Sequence, residues 1–93
     1  MKWNRKENNM IYTELKETTD LMLSADYKER FKAEFYQLNI RITKLEIFIR
    51  KFRNNELNFT PTCPIGLLEE QLRAMKAYQS VLYSRATEED ITL

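Results

Sequence analysis

The chemistry available to this chain lies in arginine, lysine, tyrosine, asparagine and glutamine. Guanidinium forks grip phosphate oxygens. Aromatic rings stack on nucleic-acid bases, and amides read base edges. These are tools of binding without turnover. The candidates fall in two groups. Tyr27, Arg30, Phe31, Tyr36, Gln37, Asn39, Arg41 and Lys44 lie along one predicted helix. Gln71, Arg73, Lys76, Tyr78 and Gln79 lie along another. Each has a plainer reading, with Phe31 and Tyr78 as core and Lys44, Arg73 and Lys76 as solvated charge. Gln71 and Gln79 sit on or beside an apolar stripe, where a buried amide needs a partner.

Catalytic patterns are missing. The 93 residues contain no histidine, so neither a Ser–His–Asp set nor a Cys–His pair can be assembled. One glycine cannot build a phosphate-cradling loop. Glu69-Glu70 and Glu88-Glu89-Asp90 lack the Glu-x-x-His spacing of carboxylate metal bundles. The expectation is a protein that is not an enzyme and uses no metal or cofactor. Cys63 stands alone, reads as structural, and suits a reducing compartment.

Two helices must position the candidates. Phe31, Phe35, Leu38, Ile42, Leu45, Ile49 and Phe52 recur in steps of four and three, which is a seam for a partner helix. Asp26 followed by Glu29 predicts a capping box, and the helix should run from about Tyr27 to Phe52. Asn54 and Asn55 should end it. After the connector ELNFTPTC, Pro64 opens a second helix from about Ile65 to Arg85. Its stripe is Leu68, Leu72, Met75 and Leu82, widened by Leu67, Ala74, Tyr78 and Val81. Leu57 and Phe59 should fold back on the hairpin mouth.

The predicted organisation is an N-terminal extension over 1–23, an antiparallel helical hairpin over 24–86 and an acidic tail over 87–93. The extension carries a short helix using Ile11, Leu15 and Met22. The fold class is all-α, since one glycine and two prolines with 43% apolar and 31% charged residues suit helices. A chain this short buries a limited core, so oligomerisation is an expected route to stability. Tyr36, Ile40 and Ile47 lie opposite the seam and form the expected interface with a second copy.

Net charge is +1, which argues against a duplex nucleic-acid binder. Lys28 to Arg53 nevertheless holds eight basic residues against three glutamates, a local excess that could favour an anionic ligand. The absence of a secretory or membrane-length apolar run leads to the expectation of a soluble, intracellular protein.

The stretch YKERFKAEFYQLNIRITKLEIFI, a connector, then LLEEQLRAMKAYQSVLYSRA resembles bacteriophage helical hairpins of the anti-CBASS and anti-Thoeris signal-sponge family. The resemblance covers about residues 24–86. It rests on Arg30 and Glu34, on Lys44, Leu45 and Phe48, and on Leu67, Leu68, Gln71, Met75, Tyr78, Leu82 and Arg85. It implies a homohexamer in the host bacterial cytoplasm that sequesters cyclic dinucleotides or cyclic trinucleotides uncleaved, and cyclic ADP-ribose isomers in some members. It implies that Arg30, Lys32 and Arg41 contact phosphates and that Tyr27 and Tyr36 stack on bases beside Phe31. Gln71, Arg73, Lys76 and Tyr78 would line a pocket from the second helix. Two other functions compete. A protein-interaction module would block a host protein through Tyr36, Ile40 and Ile47, and a single-stranded RNA binder would use the basic helix.

Overall fold

The computed structural model describes residues 12–93. The part expected of Ile11 in the N-terminal helix lies outside them. A 3-10 turn, Leu15–Thr18, runs into the short helix α1, Thr19–Met22. The long helix α2 spans Tyr27–Arg53, and α3 spans Ile65–Glu88. Among the described residues there is no strand. The chain divides into two compact units, one ending at Ile40 and one running from Arg41 to Leu93, and α2 contributes to each.

In the first unit, local hydrogen bonds shape the approach to α2. The Glu17 carboxylate accepts from the backbone N–H groups of Thr13 (2.8 Å) and Glu14 (3.2 Å), which starts the 3-10 turn. Asp26 caps α2 by accepting from the Lys28 N–H at 2.9 Å. The expected reciprocal bond from Glu29 is not what satisfies the Asp26 N–H. That N–H donates to Ser24 Oγ at 3.0 Å, which tightens the turn instead.

The first unit is fastened by Thr18, whose side chain is fully buried. Its hydroxyl donates to the Leu15 carbonyl at 2.8 Å and accepts from Gln37 Nε2 at 2.8 Å. Gln37 also approaches the Met22 sulfur at 3.5 Å. Next to Gln37 in sequence, the ring of Tyr36 lies 4.7 Å from that of Tyr12, tilted by 34°. Residues 12–22 thus lie along the side of α2 opposite the seam.

The seam is largely as the spacing predicts. Phe31, Phe35, Leu38, Ile42 and Ile49 are buried, and Leu45 and Phe52 are half-buried. From Phe31 to Ile40 every residue is at least half-buried, whereas much of α2 beyond Ile42 faces solvent. The helix is covered on several sides in its first half and on one side in its second.

In the second unit two ion pairs give the helix direction. Arg53 pairs with Glu69, and Lys76 pairs with Glu46 at 2.8 Å. Seven residues backward on α2 correspond to seven forward on α3, so these stretches run antiparallel. Both helices end in the same hydrogen-bond pattern. At the end of α2, Asn55 takes φ 57°, its N–H reaches the Phe52 carbonyl, and the Glu56 N–H reaches that of Lys51 at 2.9 Å. At the end of α3, Asp90 takes φ 61°, its N–H reaches Thr87, and the Ile91 N–H reaches Ala86 at 2.8 Å. Residues 87–93 are therefore less separate than an acidic tail. They begin inside α3, and Ile91 is buried, as is Ala86. Arg85 pairs with Glu89 at 2.8 Å, which offsets some of the acidity locally.

Candidate functional site

The sequence-predicted residues are spread over both units. In the first unit, Tyr27 and Arg30 are exposed at the opening of α2. Arg30 is partly committed, because its guanidinium donates to the Ser24 carbonyl at 2.8 Å. Lys32 is half-buried. Tyr36 is stacked on Tyr12, and its phenol pKa is raised, mainly by burial and secondly by the Tyr12 phenol. Phe31 is a correction. It is buried in the seam and has no surface for a ligand.

The expected interface on the far side of α2 also changes. Ile40 is 4% exposed, so this chain's own residues already cover it, while Ile47 is 38% exposed and Tyr36 is half-buried against Tyr12. Helical periodicity placed all three on one side, but it could not show what this chain itself lays over that side.

In the second unit, Arg41 and Arg73 are exposed and take part in no hydrogen bond or ion pair among the described residues. Lys76 is held by Glu46, both partners remaining solvated. Gln71 and Tyr78, seven residues apart, share one face of α3, while Arg73 and Lys76 lie on another. Gln71 is exposed, so the expected need of a partner for a buried amide does not apply to it. Gln79 is the half-buried amide, and it is partnered.

The face bearing Gln71 and Tyr78 carries a further correction. Leu67, Ala74, Tyr78 and Val81 were expected to widen the core stripe, yet all four are exposed, Val81 by 56%. The narrower set of Leu68, Leu72, Met75 and Leu82 is half-buried or buried. An apolar arc wider than one contact leaves its far edge in water.

Sequence reasoning sent Leu57 and Phe59 to the hairpin mouth but assigned no site there. The structure forms a cleft of about 380 Å³ lined by Phe52, Asn55, Leu57, Phe59, Thr60 and Pro61. Phe48 supports two of its walls, with ring centroids 6.4 Å from Phe52 and 6.2 Å from Phe59. The signal available beforehand was the cluster of three phenylalanines around an Asn-Asn helix stop. Cys63 is half-buried nearby in sequence and makes a weak 3.6 Å contact with the Pro64 carbonyl. No group of three or more His, Cys, Asp or Glu side chains among the described residues is placed to hold a metal ion. No helix among them is long and apolar enough to cross a membrane.

These elements define an all-helical protein built on one long helix, with exposed cations, exposed rings and an aromatic cleft at the turn between its two main helices. A more particular assignment comes from comparison with protein families. The Sequestin family model matches residues 25–88, well over half of the chain. This chain belongs to the Sequestin family, in agreement with its resemblance to signal sponges over nearly the same stretch. Neither the curated proteins nor the solved structures contain a match to it.

Proposed function

We propose that this chain is a non-catalytic sponge that binds a small signalling molecule and withholds it from its receptor. Membership of the Sequestin family over residues 25–88 carries this reading, since the family name denotes sequestration. The finer form is that the signal is a cyclic oligonucleotide immune messenger. Cyclic dinucleotides or trinucleotides come first and cyclic ADP-ribose isomers second, held uncleaved by a phage-encoded homohexamer in the host cytoplasm. Arg41 and Arg73 support it, because their guanidinium groups are unspent and aimed at solvent. Tyr27 and Tyr78 support it as exposed rings.

Sequestration sets an energetic demand. A sponge must bind below the concentration that triggers the receptor, and nanomolar binding corresponds to about 12 kcal/mol. Isolated exposed cations do not reach that at cellular salt. Pockets closed by neighbouring copies would, and the exposed Leu67, Tyr78 and Val81 of α3 offer apolar surface for such contacts. The rival interaction module needs Tyr36, Ile40 and Ile47 as a free face, which the burial of Ile40 disfavours.

The test combines light scattering after size exclusion with a thermal-shift panel of cyclic dinucleotides, cyclic trinucleotides, cyclic ADP-ribose isomers and linear controls. Stabilisation by one cyclic class, with intact ligand recovered after denaturation, is the expected result. A folded protein that responds to none of them would refute it.

A further inference from the structure

The ring of Phe59 is 57% exposed on a connector, although a large apolar side chain there could have folded inward. One part of it meets Phe48 with the ring planes tilted by 36°, and Phe48 in turn meets the edge of Phe52 at 80°. Phe48 thus braces the Phe52 and Phe59 walls of the cleft. At about 380 Å³ the cleft falls within the range of roughly 300–1,000 Å³ typical of small-ligand sites.

Its polar equipment is small and unspent. Asn55 and Thr60 line the cleft, and neither side chain makes a hydrogen bond among the described residues. The Asn55 backbone is held at φ 57° by the bonds that stop α2, so the helix end fixes where this side chain starts. The last turn of α2 contributes Arg50, Lys51 and Arg53, and the first turn of α3 contributes no acid. Arg53 is committed to Glu69, whereas Arg50 and Lys51 are exposed and unpaired among the described residues. Lys51 stands four residues before Asn55, whereas Arg50 lies across α2 from Phe48 and Phe52. Glu46, paired with Lys76, and Glu56, on the connector, are the nearest opposing charges in sequence.

We propose that this cleft receives a heteroaromatic base of the sequestered ligand, with a phosphate of the same ligand held by Lys51, four residues before Asn55. The proposal rests on the reading of the chain as a nucleotide sponge. A purely apolar ligand would fill the space but leave Asn55 and Thr60 unsatisfied. A base offers a π face to Phe59 and a hydrogen-bonding edge to the amide and hydroxyl. Its phosphate pairs with the Lys51 ammonium, since the C-terminal end of a helix by itself favours cations and not anions.

The experiment titrates the full chain with cyclic di-AMP and cyclic GMP–AMP, following backbone amide shifts by NMR and affinity by calorimetry. The largest shifts should fall on residues 52–61. Phe59→Ala should weaken binding about ten- to a hundredfold, the range of one base stack. Asn55→Gly, which suits a positive φ and keeps the helix stop, should weaken it about tenfold. Circular dichroism checks the fold, and if Phe59→Ala loses helix, the shift map and Asn55→Gly decide. Binding with shifts confined elsewhere and unchanged affinity of the variants would overturn the cleft assignment and leave the sponge standing. Absence of binding to either probe would overturn it as well, and the wider ligand panel would then show whether the sponge reading falls with it.

Discussion

Replacing Thr18 by valine tests how the first unit is fastened. The two side chains have nearly the same shape, so the change opens no cavity and removes only polar contacts. Two are lost. The hydroxyl no longer donates to the Leu15 carbonyl, and Gln37 Nε2 loses its acceptor, both at 2.8 Å. A net hydrogen bond is worth about 0.5–1.5 kcal/mol, and a stranded buried partner costs more. Gln37 is only half-buried and can turn partly to water, which limits its share. The added methyl group recovers a fraction. The expected loss is therefore about 1–2.5 kcal/mol, or a fall in Tm of roughly 5–15 °C for a chain of this size. Urea unfolding followed by far-UV circular dichroism, at one fixed protein concentration, measures it. A cycle with Gln37→Met isolates the shared bond and should give a coupling of about 0.5–1.5 kcal/mol. Wild-type stability in Thr18→Val together with zero coupling would refute the fastening argument.

Leu82 is 1% exposed, so Leu82→Ala should lower stability by about 2–5 kcal/mol in the same assay. Gly66 lies in the first turn of α3, and a Cβ there would meet nothing within 4 Å, so Gly66→Ala should raise stability by about 0.5 kcal/mol. The raised pKa of Tyr36 means that its neutral phenol is favoured on folding. That contribution is complete below the pKa of an unfolded tyrosine, about 10, and fades as pH climbs through the higher folded value. Tyr36→Phe should therefore flatten the alkaline limb of a stability–pH curve, and an unchanged limb would count against it. In calorimetric titration with the messenger found by the thermal-shift panel, Arg41→Ala and Arg73→Ala should each cost about 1.5–3 kcal/mol of binding, and unchanged affinity in both would remove these residues from the site.

The helices were legible because their signals are local. The four-three spacing from Phe31 to Phe52 and the Asn-Asn stop marked α2 to within a residue, and Pro64 marked the start of α3. The end of α3 was read three residues short, since Asp90 in the left-handed region gives a weaker stop signal than asparagine or glycine. Contacts between distant residues left no comparable trace. No spacing rule links Thr18 to Gln37 or Tyr12 to Tyr36, so the far side of α2 looked vacant and Ile40 looked free. The apolar arc of α3 was visible, but the boundary between Met75 inside and Val81 outside depends on the width of its neighbour, which a single helix cannot reveal. The cleft was hidden for a related reason. Phe48, Phe52 and Phe59 meet only once the connector has turned back.

The stop at the end of α2 is made almost wholly of backbone amides, with a demand on residue type only at Asn55. Among the described residues, the connector beyond Glu56 gives no backbone hydrogen bond to that helix. Leu57, Phe59, Thr60 and Pro61 can therefore be exchanged while both main helices keep their ends. A scaffold of this kind separates what must stay fixed from what is free to vary. Under a changing repertoire of chemical signals, the mouth of the hairpin is where variation would be cheapest, because new side chains there alter what is held without disturbing what holds it.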